Sequence, residues 1–171
     1  NSSVICPSEF AQACGRPDRF LAWHFHQLCF IKNVVDVMPH AGTDPQCLAA
    51  VVEFSRRLQL HPIALKKEHR GYVFNAMFTR FLAAALELAV AEVASLEDID
   101  QAWKTVMATS HGPFGLMDGV GLDTVANILK FGVEVEPQNS LYPAALDWLQ
   151  PKIDQGHLGQ KTGQGFYSYA R

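Results

Sequence analysis

The chain has 171 residues, of which 49% are hydrophobic and 18% charged, with a formal net charge of −3. That length suits one ordinary domain, or one and a small piece, and the composition supports a sizeable core and excludes a disordered chain. The weak acidity and the lack of a basic run exclude nucleic acid as a partner, and the apolar run 81–94, interrupted by Glu87 and Glu92, is too short to span a bilayer.

In chain order, residues 1–5 read as a strand end or loop. Pro7, followed by Ser8 and Glu9, starts a short helix to about Cys14. Gly15-Arg16-Pro17-Asp18 is a turn. Two segments of strand character follow, 20–25 and 33–38, both rich in β-branched, aromatic and other apolar residues. After a loop over 39–44, Asp44 can cap a helix with Pro45 at its first position, running to about Leu58 with Ala49, Val52 and Phe54 on its apolar side. A third short strand over 62–65 ends at Lys66-Lys67-Glu68.

The composition then shifts. Residues 71–94 form one long Ala- and Leu-rich helical run. Ser95 and Asp98 supply a cap for a helix from Leu96 to about Thr109, which Gly112-Pro113 terminates. Short helices over 114–119 and 124–131, a loop over 132–140 and an amphipathic helix over 143–154 complete the pattern, and the Gly-rich tail from Gly156 reads as irregular. The expected organisation is a small α/β piece, 1–67, followed by an all-helical piece, 68–171. The first has too few strands to close a sheet of its own, so it reads as the last segment of a larger sheet domain.

Each of the first two strand segments carries one polar group that is expensive to bury: His24 in the first and Asp36 in the second. A carboxylate that accepts from one imidazole nitrogen fixes the tautomer and leaves the other nitrogen free to move a proton. Taken alone, the two read as a core histidine beside a strand-end aspartate. His24 and His26 also form an HxH pair of the kind that binds metal on a strand, but nothing further converges on it in sequence, and no metal site is expected. Cys6, Cys14, Cys29 and Cys47 show neither CxxC spacing nor the density of a disulfide scaffold, and read as reduced thiols of an intracellular, cytoplasmic protein. The opening NSSVICPSEF has no charged n-region or apolar h-region, so no signal peptide is visible, and the chain reads as the later part of a longer one.

Several motifs agree in order and spacing: Asn1-Ser2-Ser3, His24-Phe25, an acid twelve residues after that histidine, Gly71-Tyr72-Val73-Phe74-Asn75, Gly112-Pro113-Phe114, Gly121-Leu122-Asp123-Thr124, and Lys161-Thr162-Gly163-Gln164-Gly165-Phe166-Tyr167. Over nearly its whole length the chain resembles the 3-hydroxyacyl-CoA dehydrogenases, including the short-chain 3-hydroxybutyryl-CoA enzymes. The resemblance implies a mainly α chain: an all-helical C-terminal domain preceded by the last strands and helices of a Rossmann-type NAD-binding domain. It implies an acyl-CoA substrate, NAD held mainly by a part outside this chain, and a homodimer through the helical domain. It places the family's general base on His24, its dyad acid on Asp36, its active-site serine on Ser3 and its asparagine on Asn75.

There are departures. The family's His-Phe-Phe-Asn-Pro is here His24-Phe25-His26-Gln27-Leu28, and its Pro-Gly-Phe is Arg70-Gly71-Tyr72. Asp36 replaces a glutamate and shortens the reach by ~1.5 Å, so the dyad needs a closer backbone or a bridging water. His26 faces the same side as His24 and is the alternative base. Lys32, Lys66, Lys67 and Arg70 are candidates to meet CoA phosphates. No GxGxxG occurs anywhere in the chain, so cofactor-binding residues are not expected in it. Two other readings stand beside the main one: a hydroxy-acid dehydrogenase of the lambda-crystallin/gulonate dehydrogenase kind, and a non-catalytic helical dimerisation module.

Overall fold

The computed structural model describes residues 1–170. The chain divides into two compact units, Asn1–Phe78 and a second beginning at Thr79, with the division falling inside one helix.

In the first unit, β1 (Leu21–Phe25) pairs antiparallel with β2 (Val34–Pro39), and β2 pairs parallel with β3 (His61–Ala64). β2 is central, and its Val35, Asp36, Val37 and Met38 are all 0% exposed. Burial on both faces explains why it reads as a near-continuous apolar run with a single polar residue. The parallel pairing requires a crossover, which α1 (Pro45–Arg57) supplies. Its start is as the sequence predicts: Asp44 accepts from the Gln46 N–H at 2.8 Å and Pro45 occupies the first turn. Strand alternation sends Trp23 and Phe25 to one face of β1, where Trp23 meets Phe54 of α1. Ala22 and His24 take the other face, above a core of Met38, Leu65 and Tyr72.

Local differences from the sequence reading have identifiable causes. Residues 7–14 are two 3-10 turns, Pro7–Glu9 and Ala11–Cys14, because Phe10 between them leaves the helical region at φ −122°. The long run begins only at Phe74, as α2 (Phe74–Val90), because Gly71 and Tyr72 both adopt positive φ, 79° and 56°. The expectation of a mainly α chain is corrected. A three-stranded mixed sheet with its own crossover helix organises the whole first unit, so the chain combines an α/β unit with a helical one.

In the second unit, Leu82, Ala85, Leu86 and Ala89 form the buried stripe of α2 at three- and four-residue spacing. α3 (Leu96–Met107), α4 (Pro113–Val120), α5 (Leu122–Val135) and α6 (Leu141–Asp154) follow. Two buried aspartates hold this unit together. Asp100 of α3 accepts from the Phe114 and Gly115 N–H groups at 2.8 and 3.0 Å, placing a negative charge at the N-terminus of α4. Asp118 of α4 accepts from the Phe166 and Tyr167 N–H groups, both at 2.9 Å. The tail from Gly156 is therefore built rather than irregular. It carries a 3-10 turn, Gln160–Thr162, and two bridges, Gly159 to Gln164 and Gln164 to Ser168. Among the described residues, no helix is long and apolar enough to cross a membrane.

Candidate active site

The β1–β2 register sets His24 directly opposite Asp36. Side chains so paired stand about 5 Å apart at Cβ, so a short carboxylate reaches an imidazole without a bridge. His24 Nδ1 lies 3.0 Å from Asp36 Oδ2, with His24 2% and Asp36 0% exposed. The shorter aspartate thus makes direct contact, and no bridging water is needed. An ionised carboxylate only accepts, so Nδ1 carries the proton and the lone pair sits on Nε2.

Tyr72 fixes the imidazole plane. Its ring stacks on His24 at 4.5 Å between centroids and 21° between planes. A buried aromatic at φ 56° is a costly backbone state, of the kind surrounding structure sustains at functional sites. Burial pushes the Tyr72 hydroxyl up to about 12, so it stays neutral, and it donates to the Ile5 carbonyl at 3.4 Å.

His26 stands just beyond β1, and the structure brings it to the same carboxylate. Its Nε2 is 3.0 Å from Asp36 Oδ2. This corrects the expectation that nothing converges on the HxH pair: ligand atoms of His24, His26 and Asp36 lie within 4.8 Å of one another. The separation is short but not a hydrogen bond, since the nitrogen's N–H direction does not run toward that oxygen; His26 Nε2 is buried without a hydrogen-bond partner among the described residues. Burial, and next the neighbouring His24, hold the His26 titration below its usual value, against a smaller pull from Asp36.

Ser3 and Asn75 meet each other, but through Ser3's main chain: Asn75 Nδ2 donates to the Ser3 carbonyl at 3.2 Å. Ser3 itself is exposed. Asn1 has a role that sequence reasoning missed. Its Oδ1 accepts from the Phe25 N–H at 2.7 Å, tying the Asn-Ser-Ser segment to the end of β1 beside His24. Of the basic candidates, Arg70 pairs with Glu9 at 3.1 Å, whereas Lys32, Lys66 and Lys67 are exposed. The cleft lined by Phe25, Cys29, Phe30, Ile31, Asn33 and Leu58 to Leu60, about 540 Å³, contains none of His24, His26 and Asp36.

With this geometry in hand, comparisons with known proteins are informative. Residues 71–169 match the family model of the 3-hydroxyacyl-CoA dehydrogenase C-terminal domain, and residues 1–69 match that of the NAD-binding domain. The second match completes the correction of the fold class: a large share of the chain is NAD-binding-domain material. The mouse (Mus musculus) mitochondrial hydroxyacyl-coenzyme A dehydrogenase is 35% identical over 169 residues, covering 99% of this chain and 53% of that protein. A solved diketoreductase, which acts on dicarbonyl compounds, superposes with a TM-score of 0.90 at 39% identity, covering 99% of this chain and 58% of its own. A (S)-3-hydroxybutyryl-CoA dehydrogenase from Ralstonia eutropha superposes with a TM-score of 0.86 at 29% identity, covering 100% and 59%. The chain spans about half the length of the relatives it matches.

Proposed function

Because the chain belongs to the 3-hydroxyacyl-CoA dehydrogenase family, we propose that the protein of which it forms part oxidises the 3-hydroxyl of a short-chain L-3-hydroxyacyl-CoA to the 3-ketoacyl-CoA, as a step of fatty-acid metabolism. The observation that carries this reading is the buried His24 Nδ1 to Asp36 Oδ2 contact of 3.0 Å. His24 Nε2 removes the hydroxyl proton, and Asp36 stabilises the imidazolium that results. The chemistry that NAD would supply when bound is that of hydride acceptor for C3. Its GxGxxG loop is not among these 171 residues, so no residue of this chain is assigned to it. In the reverse direction the imidazolium returns its proton to the alkoxide. Ser3 and Asn75 orient the substrate oxygen, a role supported by their mutual contact and by the exposure of Ser3. Residues 1–67 are the closing segment of the cofactor domain and 68–171 the substrate and dimerisation domain. The exposed Lys32, Lys66 and Lys67 are the cations available to CoA phosphates.

The likeness to the diketoreductase favours a second reading, in which the carbonyl substrate carries no CoA. The full-length protein, assayed for NADH formation, is expected to turn over 3-hydroxybutyryl-CoA far faster than free 3-hydroxybutyrate. Equal rates, or activity on free dicarbonyls alone, would establish the second reading instead. The homodimer rests on exposed apolar residues of the second unit, among them Leu88, Val93 and Val106 at 42, 65 and 81%. Light scattering of the same preparation is expected to give a dimer; a monomer counts against that part. The four free cysteines are consistent with a cytoplasmic, reducing setting.

A further inference from the structure

We propose that residues 1–5 form a clamped segment that aims the Ser3 hydroxyl, with Asn1 and Tyr72 as positioning residues that act through Ser3 rather than on the substrate. The proposal rests on the dehydrogenase reading for what Ser3 does, and adds the groups that fix where it stands. Three observations carry it. The first is that an irregular segment is tied at both ends and in the middle. Residues 1–5 belong to no helix or strand, and such backbone keeps one geometry only where bonds from outside hold it. Asn1 Oδ1 accepts from the Phe25 N–H at 2.7 Å, Asn75 Nδ2 donates to the Ser3 carbonyl at 3.2 Å, and the Tyr72 hydroxyl donates to the Ile5 carbonyl at 3.4 Å. Within the segment, Ser2 Oγ accepts from the Val4 and Ile5 N–H groups at 3.3 and 3.0 Å and closes a turn around Ser3. The Ser3 hydroxyl takes part in none of these bonds, so they fix its place while Ser3 stays exposed.

The second observation is where the ties end. Phe25 follows His24 in β1, and the Tyr72 ring is stacked on the His24 imidazole at 4.5 Å. The serine segment is thus held by residues that also place the base, and a slip at either end changes the distance from Ser3 to His24. Tyr72 serves both with one side chain, its ring on the imidazole and its hydroxyl on the segment. The third is the chemistry of the two outer ties. β1 is an edge strand of the described sheet, and the side-chain oxygen of Asn1 serves the Phe25 N–H as a neighbouring strand's carbonyl would. Aspartate keeps that oxygen and alanine removes it. The Tyr72 hydroxyl stands where the family's motif has phenylalanine, so Tyr72→Phe deletes the tie and keeps the ring.

The test is a double-mutant cycle in the full-length protein, read as NADH formation from 3-hydroxybutyryl-CoA. Asn1→Ala is expected to lower kcat by about 10²-fold, the cost of a misplacement of about 1 Å, with KM little changed. Tyr72→Phe should lower kcat less, since its bond is the longer of the two. In a Ser3→Ala background both losses should vanish, because no hydroxyl is left to misplace. Asn1→Asp, which keeps the acceptor oxygen, should recover most of the wild-type kcat. Wild-type kcat in Asn1→Ala would overturn the clamp. So would equal losses with and without Ser3, or Asn1→Asp as impaired as Asn1→Ala. If Asn1→Ala does not fold by circular dichroism, Tyr72→Phe carries the same cycle with Ser3→Ala. Failure of the dehydrogenase reading would appear instead as a wild type without NADH formation. Hydrogen exchange at the Phe25 amide then decides the clamp: slow exchange in wild type and fast exchange in Asn1→Ala is expected, and equal rates overturn it.

Discussion

His24→Ala in the full-length protein is expected to lower kcat for NADH formation by about 10²–10⁴-fold while leaving the fold intact. That range is what a positioned general base contributes. His24 is built as such a base. Its Nδ1 is committed to Asp36 Oδ2 at 3.0 Å, its ring is held flat against Tyr72, and the free electron pair is left on Nε2. Asp36→Asn should fall by a similar order. A neutral amide donates to Nδ1 as readily as it accepts, so the proton moves to Nε2 and the base is lost. An effect confined to KM would mean His24 binds substrate without moving its proton. Turnover unchanged by His24→Ala would transfer the base to His26, whose Nε2 faces the same carboxylate oxygen at 3.0 Å. The two histidines are thus separable by a single pair of substitutions.

The two residues were legible as single polar groups in short segments of strand character, but taken alone they read as a core histidine beside a strand-end aspartate, and only the resemblance to a family marked them as a dyad; the antiparallel register that sets them opposite each other is not written in the sequence. The shortening from glutamate to aspartate looked costly in sequence because a reach is judged there without a register. Once His24 and Asp36 are directly opposite in the ladder, the shorter chain suffices. The convergence of His26 was not legible: it depends on where β1 ends and how the next residue turns. Nor was Tyr72, whose stacking requires two successive residues at positive φ that composition does not signal. The mainly α expectation came with the resemblance, and strands of four to six residues carry too little periodicity of their own to set against it. Several motifs that marked the family proved to be structural. Lys161 of the tail reaches Asp123 of the Gly-Leu-Asp-Thr stretch, and Gly112-Pro113-Phe114 is the seat of Asp100. The partners of Asp100 and Asp118 are mostly main-chain amides, 14 to 49 residues distant, which leave no pattern of side chains to read.

Asp118→Asn is expected to be the most destabilising single substitution in the second unit, by about 3 kcal/mol, as a fall in its unfolding midpoint. Asp118 is 1% exposed and accepts three hydrogen bonds: from the consecutive Phe166 and Tyr167 N–H groups at 2.9 Å and from the Tyr169 hydroxyl at 2.8 Å. An amide turns one acceptor into a donor facing another donor, stranding a buried group at a cost of roughly 1–3 kcal/mol each. Gly165 shows how closely the tail is clasped. A Cβ there would lie 2.0 Å from Asp118 Oδ1, so Gly165→Ala should be destabilising without removing any polar group. Tyr167 bridges the two aspartates, since its hydroxyl donates to Asp100 Oδ2 at 3.0 Å while its N–H binds Asp118. The same network carries a pH signature. Burial, then Asp100, raises the Tyr167 hydroxyl, and burial, then its bond to Asp118, raises that of Tyr169. A group whose folded-state value is raised stabilises fully below its unfolded value, near 10, and loses that contribution as pH climbs toward the folded one. The urea midpoint of the second unit should therefore decline above about pH 10, and Tyr167→Phe with Tyr169→Phe should flatten the decline. An Asp118→Asn protein that unfolds with wild type would mean the tail is held by Phe166 and its aromatic neighbours Phe114 and Trp148 alone, with the carboxylate merely tolerated.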